Sequence, residues 1–202
     1  LSLTFNEEEH VYRWQGRVVP SVTAVIAAAG CMGDLSFIDP WYMRRGTALH
    51  KATKLWDEGR LDEATVDPAI APHLRAWREF VTMNRADLEI LESEHPRYNA
   101  TYGYAGTPDR IALWRGKLAV IDLKAGGKMP FHALQLSGYA GMIDDCEVRL
   151  AVHLGGDERW KLETYADRGD WQVFTSALAL YQWKERNGLK PGKAANNGGR
   201  DN

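Results

Sequence analysis

The chain has 202 residues, 45% of them hydrophobic and 26% charged, which is ordinary for a globular protein long enough to bury a core. A formal net charge of -2 excludes a global basic field, though not a local basic groove. Two cysteines, Cys31 and Cys146, exclude a four-thiolate zinc or iron–sulfur centre and read as reduced thiols. There is no charged-then-apolar leader and no apolar run of bilayer length, so the expectation is a cytoplasmic protein, in a host's cytoplasm if not its own, with no membrane partner.

Residues 1–19 read as short strands, with Gln15-Gly16 as a hairpin turn before RVVPSVT. Ser21 is placed to cap a short helix, VTAVIAAAG, that stops at Gly30. A longer helix is expected from about Trp41 to Glu58, closed by Gly59. The next begins after Asp67-Pro68 and carries Ile70, Leu74, Trp77, Phe80 and Val81 at helical spacing. LEILESEHPRY reads as one strand, followed by the strands DRIALW and KLAVIDLK. PFHALQLSGYAGMI is a helix opened by Pro130. EVRLAVHL and ERWKLETY form a hairpin across Gly155-Gly156. A last helix, from about Asp170 to Arg186, puts Trp171, Phe174, Leu178 and Tyr181 on one side. Residues 188–202 have nothing to bury and are expected to be a disordered tail. With no internal repeat, the pattern predicts one α+β domain over residues 1–187, a small mixed β-sheet flanked by helices.

Asp109, Asp122 and Lys124 stand out among the apolar residues of GTPDRIALWRGKLAVIDLKAG. If Arg115-Gly116 is a two-residue primed turn, Leu113 meets Leu118, Ile111 meets Val120 and Asp109 meets Asp122. Alternation then places both carboxylates and Lys124 on one face. Carboxylates about 5 Å apart repel by roughly 3 kcal/mol at an effective dielectric of 20. A divalent magnesium or manganese ion between them reverses that sign. Lys124 is then placed to orient water or stabilise developing charge, as phosphodiester hydrolysis requires. The simpler alternative is a solvated Asp–Lys surface pair, and a one-residue slip in register would separate the aspartates.

GTPDRI…VIDLKAG, followed by HALQLSGYAGM, resembles the PD-(D/E)XK nuclease superfamily, and most of all its RecB-like and phage recombination exonuclease branches. Pro108-Asp109 matches the first half of the signature and Asp122-Leu123-Lys124 the second. Upstream, RRGTALH resembles the helix that carries a Gly and a metal-site His, here Gly46 and His50. HVYRWQGRVVPSVTAVI is also similar to the start of many phage-encoded members. The resemblance extends to about Met142 and implies a restriction-endonuclease-like core. It makes Asp109 and Asp122 metal carboxylates, the Leu123 carbonyl a further ligand, Lys124 the catalytic lysine and His50 a nitrogen ligand. Glu94 matches a further acidic position, with Glu92 as runner-up. Gln135 and Tyr139, one helical turn apart, match a pair beside the metal-bound phosphate or the lysine. Arg44 and Arg45, near His50, are candidates for phosphate contacts.

The resemblance implies a Mg²⁺- or Mn²⁺-dependent DNA nuclease, an exonuclease of phage-type recombination or DNA processing. A single-strand annealing protein and a homo-oligomer are its expected partners beyond DNA. The iron–sulfur subgroup is excluded by the cysteine count. Two other expectations remain: a structure-specific endonuclease on the same core, or a nucleic-acid-binding module that has lost catalysis. The other histidines (His10, His73, His95, His132 and His153) lack metal-ligand spacing. The tryptophans read as core, although Trp114, at a hairpin tip, is placed to stack on a base if exposed.

Overall fold

A computed structural model describes residues 2–33 and 39–189. The tail expected to be disordered lies, from residue 190 onward, outside the described residues. Three antiparallel strands open the chain, β1 (Leu3–Asn6), β2 (Val11–Trp14) and β3 (Arg17–Val19), in that order in their sheet. Gln15 and Gly16 form the turn between β2 and β3, both at positive φ (50° and 78°). Helix α1 (Val22–Ala28) follows, its first turn capped by the Ser21 hydroxyl, which accepts the Ala24 N–H at 3.0 Å. Such a cap contributes about 1 kcal/mol. Helix α2 (Pro40–Asp57) starts one residue before the expected position because Asp39 caps it, accepting the Trp41 N–H at 2.8 Å, while Pro40 fills a first-turn position that needs no donor. Helix α3 (Ala71–Met83) buries Leu74, Trp77 and Phe80 as its spacing predicts.

The expected single strand LEILESEHPRY is broken. It becomes β4 (Leu88–Ser93) and β5 (Arg97–Asn99), and β5 pairs with β6 (Tyr104–Gly106) in a separate two-stranded sheet. The break lies at Glu94, whose φ of 48° is left-handed, just before Pro96, which restricts His95 and supplies no donor. A bulge between Ile90 and Glu92 precedes it.

The central sheet comprises β4, β7 (Arg110–Trp114), β8 (Lys117–Lys124), β9 (Val148–Leu154) and β10 (Trp160–Thr164), ordered β10-β9-β8-β7-β4. All its neighbours are antiparallel except β8 and β9, which run parallel. Helix α4 (Phe131–Ala140) makes that parallel crossover. It ends at Gly141 rather than continuing to Ile143, and a Cβ at Gly141 would lie 2.3 Å from the Trp171 ring. Helix α5 (Gly169–Arg186) completes the chain's described elements.

Strand alternation sends β8 side chains to two apolar layers. Ala119, Ile121 and Leu123 join Leu49 of α2 and Leu74, Trp77 and Phe80 of α3. Val120 and Ala151 join α1, α4 and α5 through Ile26, Leu136, Tyr139 and Phe174. Full burial of each large apolar side chain stabilises by about 1.5–3 kcal/mol. The result is a mixed sheet covered on both faces by helices, as expected. Trp114 is core, only 8% exposed, and does not offer a stacking surface. Among the described residues no helix is long and apolar enough to cross a membrane.

Candidate active site

The β7–β8 hairpin has the expected register. Arg115 and Gly116 both take positive φ (53° and 76°), a primed turn whose twist suits antiparallel strands. Leu113 pairs with Leu118 and Ile111 with Val120. The ladder ends at Arg110 opposite Ile121, and one step beyond it Asp109 and Asp122 lie side by side at the sheet's inner end. Asp109 Oδ2 accepts the Leu123 N–H at 2.6 Å, which ties the two strands together through a carboxylate. The residues are 8% and 1% exposed, so the pair is no solvated surface feature.

Lys124 contacts both the acidic pair and α4. Its ammonium pairs with Asp122 Oδ2 and donates to Gln135 Oε1 at 2.8 Å. Gln135 Nε2 in turn donates to the Tyr139 hydroxyl at 3.2 Å. From α2, His50 Nδ1 reaches Asp109 Oδ1 at 3.2 Å and Glu94 Oε1 at 3.9 Å. The left-handed turn at Glu94 makes that approach, with its N–H donating to the Asp109 carbonyl at 3.0 Å. Glu92 instead pairs with Arg97 at 2.5 Å. The structure therefore brings Glu94, not Glu92, to the two aspartates, although the two glutamates read as sharing a strand face.

Arg45 donates to the Ala125 carbonyl at 2.9 Å and lies 5.0 Å from the centroids of both the Trp41 and Tyr42 rings. It lines a cleft of about 490 Å³ with Gly46, His50, Leu123 and Lys124. Arg44 is exposed on α2 and does not line this cleft. A Cβ at Gly46 would meet nothing within 4 Å, so that glycine leaves cleft space open rather than relieving a clash.

The electrostatics separate the two aspartates. Burial raises both, but His50, Lys124 and the Leu123 N–H outweigh it at Asp109 and hold that carboxyl at about 2. At Asp122, burial and the neighbouring Asp109 charge outweigh Lys124 and push it up to about 6. Burial raises Glu94, with Asp109 adding to the effect. His50 is lowered by burial but raised further by Asp109, ending above its ordinary value. Two neighbouring acids with opposed shifts are what a charge-handling site requires.

A divalent cation needs several hard donors around one point. Among the described residues, no three His, Cys, Asp or Glu side chains converge closely enough to form a finished metal site. The donor chemistry does fit a hard cation, with three carboxylates, an imidazole and the Leu123 carbonyl at one strand end. Buried Glu94 Oε1 also lacks a hydrogen-bond partner, with His50 Nδ1 no closer than 3.9 Å, as an acceptor left for a cation would. Lys124 and His50 hold the acids in this arrangement.

Sequence reasoning missed the group behind the site. Arg110 is wholly buried; its Nε pairs with Asp57 Oδ2 at 2.6 Å, one Nη donates to Thr53 at 2.9 Å, and the other donates to the Asp109 carbonyl at 2.6 Å. Trp77 Nε1 donates to the other Asp57 oxygen at 2.8 Å. The one sequence signal was an arginine in an otherwise apolar strand.

No protein-family model matches the sequence, and no curated protein does. Similar solved structures do exist. LHK-Exo in complex with dAMP superposes with a TM-score of 0.50 at 12% identity, over 85% of this chain and 90% of that one. The alkaline exonuclease LHK-Exo from Laribacter hongkongensis gives 0.42 at 14% identity over 83% and 93%, and SSO0001 gives 0.39 at 19% identity over 74% of each chain. The mixed sheet between helices is therefore a fold shared with LHK-Exo.

Proposed function

We propose that the chain is a Mg²⁺- or Mn²⁺-dependent deoxyribonuclease of the PD-(D/E)XK type, acting as an exonuclease in phage-type recombination or DNA processing. The observation that carries this reading is the convergence of Asp109, Asp122 and Lys124 at the end of β8, with His50 and Glu94 against Asp109. The likeness to LHK-Exo, which was solved with dAMP, supports DNA as the substrate.

Asp109, Asp122, His50 and the Leu123 carbonyl would hold the cation. When bound, it supplies Lewis-acid polarisation of the phosphate and a water activated for attack. Asp109 keeps its charge at any working pH and orients the Leu123 backbone. Lys124, held by Gln135, presents positive charge where the phosphate gains negative charge. Tyr139 fixes the Gln135 amide, so the pair positions the lysine from α4. Arg45, anchored on Ala125, offers its remaining donors to a phosphate entering the α2 cleft.

Digestion of an end-labelled linear duplex beside a closed circle, with Mg²⁺, Mn²⁺ or EDTA, tests the reading. Metal-dependent loss of the linear form alone is the expected result. Cutting of the circle would make the enzyme an endonuclease on the same site, and intact DNA under every metal would overturn the nuclease reading.

A further inference from the structure

On the α4 face of the sheet the row of side chains that starts at Lys124 continues across two more strands. Lys124 is the register partner of His153 in β9, and His153 is the partner of Lys161 in β10. The row behind it runs Asp122, Ala151, Glu163. Strands lie about 4.8 Å apart, which puts Lys161 roughly 10 Å along the sheet from Lys124.

Glu163 gathers basic groups at that end. Its carboxylate accepts from Lys161 at 3.0 Å, pairs with Lys128 at 3.1 Å, accepts from the Tyr165 hydroxyl at 3.2 Å and has His153 Nε2 at 3.7 Å. The Lys161 and Lys128 side chains are 74% and 61% exposed. Two ammonium groups thus share one acid, are aligned by it, and retain donors that face solvent. His153 Nδ1 lies 2.9 Å from the Gly126 carbonyl, and its buried Nε2 has no hydrogen-bond partner. A second cleft, of about 290 Å³, is lined by His153 and Lys161 and shares Ala125 and Gly126 with the cleft beside His50. A Cβ at Gly126 would meet nothing within 4 Å, so space is open at a residue the two clefts share.

We propose that Lys128 and Lys161 form a subsite for a backbone phosphate of the strand being cut, about one or two nucleotides from the scissile phosphate, with that strand lying over Gly126, which His153 holds through its carbonyl. Glu163 is the positioning residue that holds the two lysines. The proposal rests on the nuclease reading and adds to it where the substrate strand runs.

The test compares the full chain with the Lys128→Gln/Lys161→Gln variant in Mn²⁺. One substrate is a single-stranded oligonucleotide; the other is the p-nitrophenyl ester of thymidine 5′-monophosphate, which has no neighbouring phosphate. The ratio of kcat/KM for the oligonucleotide to that for the ester is expected to fall about tenfold, mainly through the oligonucleotide's KM. The slope of log binding constant against log salt for the oligonucleotide becomes shallower by about 0.7 for each phosphate that the variant no longer neutralises. Wild-type values of both ratio and slope would overturn this subsite while leaving the nuclease reading intact. If the wild-type chain cuts the linear duplex yet neither binds nor cuts the oligonucleotide, the subsite falls and the nuclease reading stands; if it cuts neither, both fall together.

Discussion

Asp109 and Asp122 lie side by side yet titrate in opposite directions, and the difference has a measurable consequence. In its folded setting Asp122 ionises at about 6 rather than 3.8. Between those values the native chain holds a proton that the unfolded chain releases, so rising pH costs stability in that window. Asp109, lowered to about 2, acts with the opposite sign but only below about pH 4. Asp122→Asn carries no charge at any pH. In EDTA, the stability gap between this variant and wild type should therefore grow in the variant's favour between pH 4.5 and 7.5, by roughly 2 kcal/mol. Urea unfolding at the two pH values reads it, and a gap independent of pH would contradict the shift. At this scale the sequence was informative, because alternation along two short strands places Asp109, Asp122 and Lys124 together. It could not separate Glu94 from Glu92, since the choice depends on one left-handed residue and a bulge.

The β7–β8 hairpin was legible as an element because its turn is local: two residues at positive φ set the register of both strands. The buried ion pair behind it was not, because Asp57 and Arg110 lie 53 residues apart and belong to different elements. That pair fastens the end of α2 to the start of β7 and donates to the Asp109 carbonyl, so it holds His50 and Asp109 in one frame. Arg110→Met leaves Asp57 buried with only the Trp77 N–H and should cost about 3–5 kcal/mol. Adding Asp57→Asn removes the stranded charge and keeps an acceptor for Trp77, so part of the loss should return. Denaturation midpoints of the two variants check this, and equal midpoints for wild type and Arg110→Met would show that the pair contributes nothing net.

At the scale of the whole molecule, the helices and hairpins could be read singly, but their order across the sheet could not. The parallel pairing of β8 with β9 depends on the α4 crossover, and no periodicity encodes it. That pairing sets His153 beside Lys124 and Lys161 one strand further on, so a chain of net charge -2 can still gather basic groups on one stretch of the sheet. Charge at this scale is a matter of placement rather than sum. The assembled site makes one central claim, that Lys124 beside the paired aspartates drives phosphodiester hydrolysis. Single-turnover cleavage of an end-labelled linear duplex with Mn²⁺, by wild type and by Lys124→Ala, tests it most directly. Wild-type cleavage should vanish in EDTA, and the variant should be slower by about 10²–10³; a variant as fast as wild type, or cleavage indifferent to EDTA, would contradict the claim.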